Sequence, residues 1–326
     1  MRQPGRRATL LGAASLLSPS VHAQGTPPGF PDRPVKLLVP YPAGDGPDVL
    51  GRSLAEMLRP RLGQPVVVEN MPGGGTSVAA LALKRAPADG YTVMLGGAST
   101  LCIAPLLNPT VGYDGERDFT LLCRLVESPL VLLVNAQGPA NLAELFALAR
   151  RGGQWSFGSA GMGSPHHLCG ALLAQQAGVE AVHVPYRGAG PALADLAGGR
   201  VTSVFSTLGP AVGLLQDGRL RALAVASSRR IATLPDTATL GELGHQGFAT
   251  PSWIGLMAPA NLPAGIAARL SADAMAVVDT PAGRARIEQL SFLPAALPFH
   301  QIPAGYVAAE TARWRPIVSQ SGATAG

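Results

Sequence analysis

Two short stretches of this chain combine the residue types that hold an anion without a charged side chain. Pro40-Tyr41-Pro42-Ala43-Gly44-Asp45-Gly46-Pro47-Asp48 leaves an apolar run and enters a helical pattern, and Gly158-Ser159-Ala160-Gly161-Met162-Gly163-Ser164-Pro165-His166-His167 does the same near the middle. At such junctions the first N–H groups of the helix lack intrahelical partners, and the helix dipole favours negative charge beside them. A tight turn is the plain alternative for either loop alone. Two such loops in comparable settings favour a pair that clamps a small carboxylate-bearing molecule.

Other chemistries find little support. Beyond the N-terminal segment the only lysines are Lys36 and Lys84, and neither follows a glycine, so a Walker A loop is excluded. The Gly-x-Gly runs place Val49, Val78, His166 and Leu193 where a dinucleotide fold needs its third glycine. No Gly-x-Ser-x-Gly elbow is present. His166 and His167 are adjacent, and neighbouring side chains on a helix diverge by about 100°, so they are poorly placed to share a metal. The bland reading has one of them hydrogen-bonding a loop and the other facing solvent. A secreted hydrolase using His167 as base with Ser164 or Ser159 as nucleophile is the rival reading, and it lacks an evident acid to orient the histidine. No metal, cofactor or catalytic residue is expected.

The elements that must position these loops alternate as in open α/β folds. Strands are expected at 35–39, 66–68, 92–95, 130–134, 155–158, 182–184, 201–205, 220–226 and 253–257. Helices are expected at 48–62, with Asp48 as N-cap, and at 76–85, 142–150, 165–177, 191–196, 211–216, 264–278, 281–290 and 302–319. The pattern predicts parallel sheets with helical crossovers in two lobes. One comprises residues 24–126 and 248–326, the other 127–247, joined by two crossings, and ligands bind such sheets at the carboxyl ends of strands.

Composition sets the class. The chain has 326 residues, 47% apolar and 14% charged, which excludes disorder and allows two cores. The formal charge of +5 first suggests a polyanionic partner. Arg2, Arg6 and Arg7 precede a short apolar run, Ala8 to Leu17, and a small-residue site, Val21-His22-Ala23, the layout of a secretory signal. Loss of residues 1–23 leaves 303 residues and a charge of +2, so no nucleic-acid partner is expected. Export through the Sec or the Tat route stays open. Cys102, Cys123 and Cys169 are too few for a disulfide framework. Three buried thiols are expected, with Cys102 and Cys123 the pair if any bridge forms.

The chain resembles the Bug, or TctC-like, family of periplasmic receptors of tripartite tricarboxylate transporters. The resemblance rests on Val39-Pro40-Tyr41-Pro42-Ala43-Gly44, Gly63-Gln64-Pro65-Val66-Val67-Val68-Glu69-Asn70, Pro87-Ala88-Asp89-Gly90-Tyr91-Thr92, Gly158-Ser159-Ala160-Gly161, His183-Val184-Pro185-Tyr186-Arg187-Gly188 and Leu220-Arg221-Ala222-Leu223-Ala224-Val225, in that order. It implies a two-lobed type II binding-protein fold, an α/β architecture that closes on one small organic acid, and membrane transporter subunits as partners of a monomeric receptor. On this reading Tyr41, Ala43, Gly44, Asp45 and Gly46 contact the ligand from one lobe and Ser159, Gly163, Ser164 and His167 from the other, with Ser99 and Thr207 lining the cleft. Two departures stand out: Asp45 puts a carboxylate at the mouth of the first helix, and Met162, Pro165 and His166 replace polar residues in the second loop.

Overall fold

A computed structural model describes residues 29–151, 154–248 and 252–323; the expected signal segment, residues 1–23, lies outside the described residues. The first lobe opens with β1 (Val35–Val39), α1 (Gly46–Leu62), β2 (Val66–Asn70), α2 (Ser77–Arg85) and β3 (Thr92–Gly97). A wide turn at Ser99–Ile103 then runs into α3 (Ala104–Leu107) and β4 (Phe119–Glu127). The second comprises β5 (Leu130–Asn135), α4 (Leu142–Arg150), β6 (Ser156–Ser159), α5 (Pro165–Ala177), β7 (Val182–Pro185), α6 (Ala189–Ala197), β8 (Ser203–Thr207), α7 (Val212–Gln216) and β9 (Leu220–Ala226). The chain then returns through β10 (Trp253–Pro259), α8 (Ala264–Val278), α9 (Pro281–Gln289), β11 (Leu293–Pro298) and α10 (Tyr306–Gln320).

Two sheets result, one ordered β11-β4-β10-β3-β1-β2 and the other β7-β6-β8-β5-β9. They are mixed, which corrects the expectation of parallel sheets. β1 is parallel to β2 and β3, and β6 to β7 and β8, but β10 runs antiparallel to β3 and β4, and β5 antiparallel to β8 and β9. β10 enters the first sheet from the second lobe, so its direction opposes that of strands fed by helical crossovers within the sheet. The two crossings lie side by side, with Ser128 N–H donating to Ser252 O at 3.0 Å.

Sequence periodicity missed β4 and β11. β4 is an apolar run broken by Arg124 with no strict alternation, and only Ser128 and Pro129 separate it from β5. β11 contains Pro294 and Pro298, which argue against a strand. It survives because it is the edge strand, paired on one side only, with a register irregularity between Pro294 and Leu297.

α1 shows how local chemistry sets the site. Leu50, Leu54, Leu58 and Leu62 recur every four residues and are buried, each such burial stabilising by about 1.5–3 kcal/mol. Gly51 lets the helix lie close to the sheet, because a Cβ there would come 3.1 Å from both Leu95 and Val39. Gly63, with φ at 67°, ends it, its N–H bonding Arg59 O. The start differs from expectation. Asp45 is the N-cap residue and its side chain makes no cap bond, whereas Asp48 lies inside the first turn and is buried.

Candidate functional site

Strand order identifies where each sheet can bind a ligand. From β1 the chain crosses to β2 on one side, and β3 lies on the other, so the carboxyl ends of β1 and β3 flank a topological switch point. β6 feeds α5 and β7 on one side while β8 flanks its other side, which makes the ends of β6 and β8 the second such point. All eleven expected site residues sit at or just beyond these four strand ends. Tyr41 to Gly46 follow β1, Ser99 follows β3, Ser159, Gly163, Ser164 and His167 end β6 or follow it, and Thr207 ends β8.

In the first lobe Tyr41 and Ser99 follow the paired strands β1 and β3 on the two sides of the switch point. Burial pushes the pKa of Tyr41 up to about 12, opposed by the Ser99 hydroxyl and reinforced by the Asp45 charge, so it is neutral at every ordinary pH. The β1–α1 loop is held by Asp48, whose carboxylate accepts from Gly44 N–H at 2.8 Å, Asn70 Nδ2 at 2.8 Å and Arg52 Nε at 3.1 Å. Asn70 also donates to Tyr41 O at 3.0 Å. Burial opposes the charge of Asp48, but the Gly44, Asn70 and Arg52 donors outweigh it and hold its pKa below the usual range. Asp45 is half-buried and unpaired, and burial, then the Asp48 charge, raise its pKa. Ala43 and Gly44 are exposed, with φ of Gly44 at 86° in the turn, and Gly46 packs near the Phe292 ring.

The second loop is held by neutral groups. Ser164 caps α5, accepting from His167 N–H and donating to Gly161 O at 2.7 Å. His167 Nδ1 accepts from Gly163 N–H at 3.1 Å, and its ring stacks on that of His183 with centroids 3.6 Å apart. His183 Nε2 lies 2.7 Å from Ser159 Oγ. Burial takes both histidines down to about 4, and the His167 charge adds to the effect on His183. The second histidine of the pair does not face solvent as expected: both ring nitrogens of His166 are enclosed without a partner, and burial takes its pKa down to about 4.

The hydrolase pairing is absent from this geometry. Ser164 meets the backbone N–H of His167, not its ring, and Ser159 meets His183. Ser159 is also fully buried, donates to Gly161 O at 2.9 Å and accepts from Gly161 N–H at 3.1 Å. Its single proton is shared between two acceptor positions, Gly161 O and the His183 ring, and no carboxylate is bonded to His183 to orient it as a base. The three cysteines are free and buried. Among the described residues no group of three or more His, Cys, Asp or Glu is placed to hold a metal.

The lobes touch next to these loops. Gly163 lies against Leu107 of α3, so closely that a Cβ would come within 2.1 Å of the leucine, and φ of Gly163 is 69°. Gly209, just beyond Thr207, approaches Leu290 O. Asp48, Asn70, His166 and His183 were not singled out as site residues from sequence. Asn70 and His183 lie within the stretches that carry the family resemblance, yet their partners are 22 and 24 residues away, at Asp48 and Ser159.

Comparison with known proteins agrees with this geometry. Residues 50–323 match the tripartite tricarboxylate transporter family receptor family, TctC. BugT of Bordetella pertussis is 33% identical over 300 residues, covering 90% of this chain and 91% of BugT. Among solved structures, an R. palustris protein with adipate superposes with a TM-score of 0.82 at 32% identity, covering 90% of this chain and 99% of that one. MatC of Rhodopseudomonas palustris with bound malate gives 0.78 at 33% identity, covering 89% and 100%. The chain therefore belongs to the TctC family of tripartite tricarboxylate transporter receptors, periplasmic solute-binding proteins of the Bug type with a two-lobed α/β fold.

Proposed function

We propose that this protein captures a small organic acid between its lobes and presents the closed complex to the membrane subunits of a tripartite transporter. The observation that carries the reading is the coincidence of both polar helix-entry loops with the switch points of the two sheets. The adipate and malate held by two similar proteins support a di- or hydroxycarboxylate as ligand. Tyr41, Ala43, Gly44, Asp45, Gly46 and Ser99 would meet it from residues 24–126 and 248–326, and Ser159, Gly163, Ser164, His167 and Thr207 from residues 127–247. Rotation about the paired crossings at Ser128 and Ser252 would open and close the cleft, and occupancy would shift that equilibrium. Residues 1–23 would act as the export signal, with cleavage after Ala23, and the receptor would work as a monomer that binds without turnover.

The test is a thermal-shift screen with succinate, malate, adipate and citrate on protein unfolded and refolded to strip bound ligand. A ligand at 100 times its Kd adds about 2.7 kcal/mol, a shift of several degrees. No shift with any carboxylate would overturn the reading.

A further inference from the structure

Besides the two crossings, the lobes meet through the last helix. The first half of α10 is fastened to the first lobe beside the hinge. Trp253 Nε1 donates to Glu310 Oε2 at 2.9 Å, Arg124 Nη1 donates to Tyr306 OH at 3.3 Å, and Cys102 Sγ donates to Val307 O at 3.8 Å. Trp253 and Arg124 stand on β10 and β4, the two strands of the first sheet that run into the crossings. Arg313 holds Glu310 in turn through two bonds, at 3.1 and 2.9 Å.

The same helix also packs against α5 of the second lobe. Leu168 of α5, fully buried, is the one second-lobe residue, among the described residues, in the apolar cluster that contains Leu101, Trp314 and Val318. Two turns further along the same face of α5, Gln175 Nε2 donates to Gln320 Oε1 at 2.6 Å. Arg313 and Gln320 are spaced alike on α10. Burial pushes the Cys169 thiol up to about 12 and the Arg313 charge acts against that shift, so the guanidinium lies toward the first turns of α5. One face of α10 therefore runs along the helix that the second cleft loop enters.

Rotation of the lobes works against this contact. Opening about Ser128 and Ser252 carries α5 away with the second lobe, whereas α10 is tied to the hinge strands and stays with the first. The contact has the makings of one that parts and re-forms, because one apolar side chain enters the cluster and the amide pair is exposed, so each amide exchanges its partner for water at little cost. We propose that α10 is a latch that engages α5 through Leu168 and Gln175 as the lobes close, and so sets ligand affinity from outside the cleft. The assignment rests on the receptor reading above. A contact made only in the closed form stabilises that form alone, and a ligand that selects the closed form binds more tightly as its population grows.

Isothermal titration of the mature receptor with the tightest carboxylate of the screen, paired with urea unfolding of the free and the bound protein, tests the latch. Leu168→Ala should bind the acid about 10-fold more weakly or worse, and Gln320→Ala, which loses one exposed hydrogen bond, about 2- to 5-fold more weakly. In both variants the urea midpoint should fall further for the complex than for the free protein. A Leu168→Ala protein that binds like the wild type, with its midpoint lowered equally in the free and bound forms, would place the contact in both forms and overturn the latch while leaving the receptor reading intact. Binding of no carboxylate by the wild type would overturn both. Should Leu168→Ala fail to fold, Gln320→Ala and Gln175→Ala decide on the protein's surface: weakened binding in both, no greater in the double variant than in either alone, supports the latch, and unchanged affinity refutes it.

Discussion

The two cleft loops occupy equivalent places in their sheets but are fixed by opposite means. The β1–α1 loop is tied down by an ionised, buried carboxylate, Asp48, with donors from Gly44, Asn70 and Arg52. The β6–α5 loop is tied down by neutral groups: the Ser164 cap, the Ser159 hydroxyl and two stacked imidazoles. The consequence for an anion differs too. Before the first bond of α1, Val49 N–H to Asp45 O, come the N–H groups of Gly46 and Asp48, but two carboxylates stand beside them. The second loop carries no charge, and its own bonds take up the N–H groups of Gly161, Gly163, Ser164 and His167. One side would attract an anion through backbone and repel it through Asp45 and Asp48; the other would attract it through backbone with no opposing charge.

Removing the charged anchor should have the largest effect. Asp48→Ala is expected to cost about 2–4 kcal/mol in urea unfolding, because Gly44 N–H and Asn70 lose a buried acceptor, although half-exposed Arg52 can turn to water. The pKa of Asp48 is depressed in the folded state, so its contribution is full above the ordinary 3.8 and is lost as pH falls below that value. An Asp48→Ala protein as stable as the wild type at pH 7 would show that the first loop needs no ionic anchor.

The neutral anchor should respond to pH in a different window. His166, His167 and His183 are held near 4 in the fold and near 6.5 when unfolded, so from 6.5 down to 4 the unfolded chain takes up protons that the folded chain refuses. Stability should therefore fall over that range by up to about 1.4 kcal/mol per pH unit for each histidine, less for His167 and His183 if water reaches them. His183→Phe keeps a stacking ring and should flatten the slope of unfolding midpoint against pH between 4.5 and 6.5. An unchanged slope would mean that His183 titrates normally.

Smaller effects probe the loop termini. Ser164→Ala should cost about 1 kcal/mol, the usual value of an N-cap, read as a lowered midpoint in urea. Asp45→Asn should tighten a dicarboxylate by a few-fold, since a charge at ~4 Å is worth about 1 kcal/mol in water. Weaker binding in that variant would instead mean that Asp45 grips a donor group on the ligand.

Much of the scaffold was legible because it rests on local rules. The leucine spacing of α1 with Gly63 at its end, and the bounds of the helices at 142–150, 165–177 and 264–278, are read from neighbours in sequence. The two helix-entry loops were legible as polar segments after apolar strands, and the strand order places them at the switch points. What escaped depends on distant partners. Pro294 and Pro298 spoke against β11 until its edge position was known, and Asp48 looked like a cap until Asn70 and Arg52 were seen beside it. The adjacent histidines showed the same limit: His167 met a loop as expected, while the burial of His166 depended on how α5 sits on the sheet.

The sequence by itself determined a chain with two α/β units, the two helix-entry loops and the family to which they belong, because periodicity, capping and turn chemistry act over a few residues. Only the tertiary structure decided that the sheets are mixed, that Ser159 bonds His183 and not His167, and that the ring nitrogens of His166 are enclosed without a partner. Those outcomes depend on strand order and helix phase, which bring together residues that no local pattern relates.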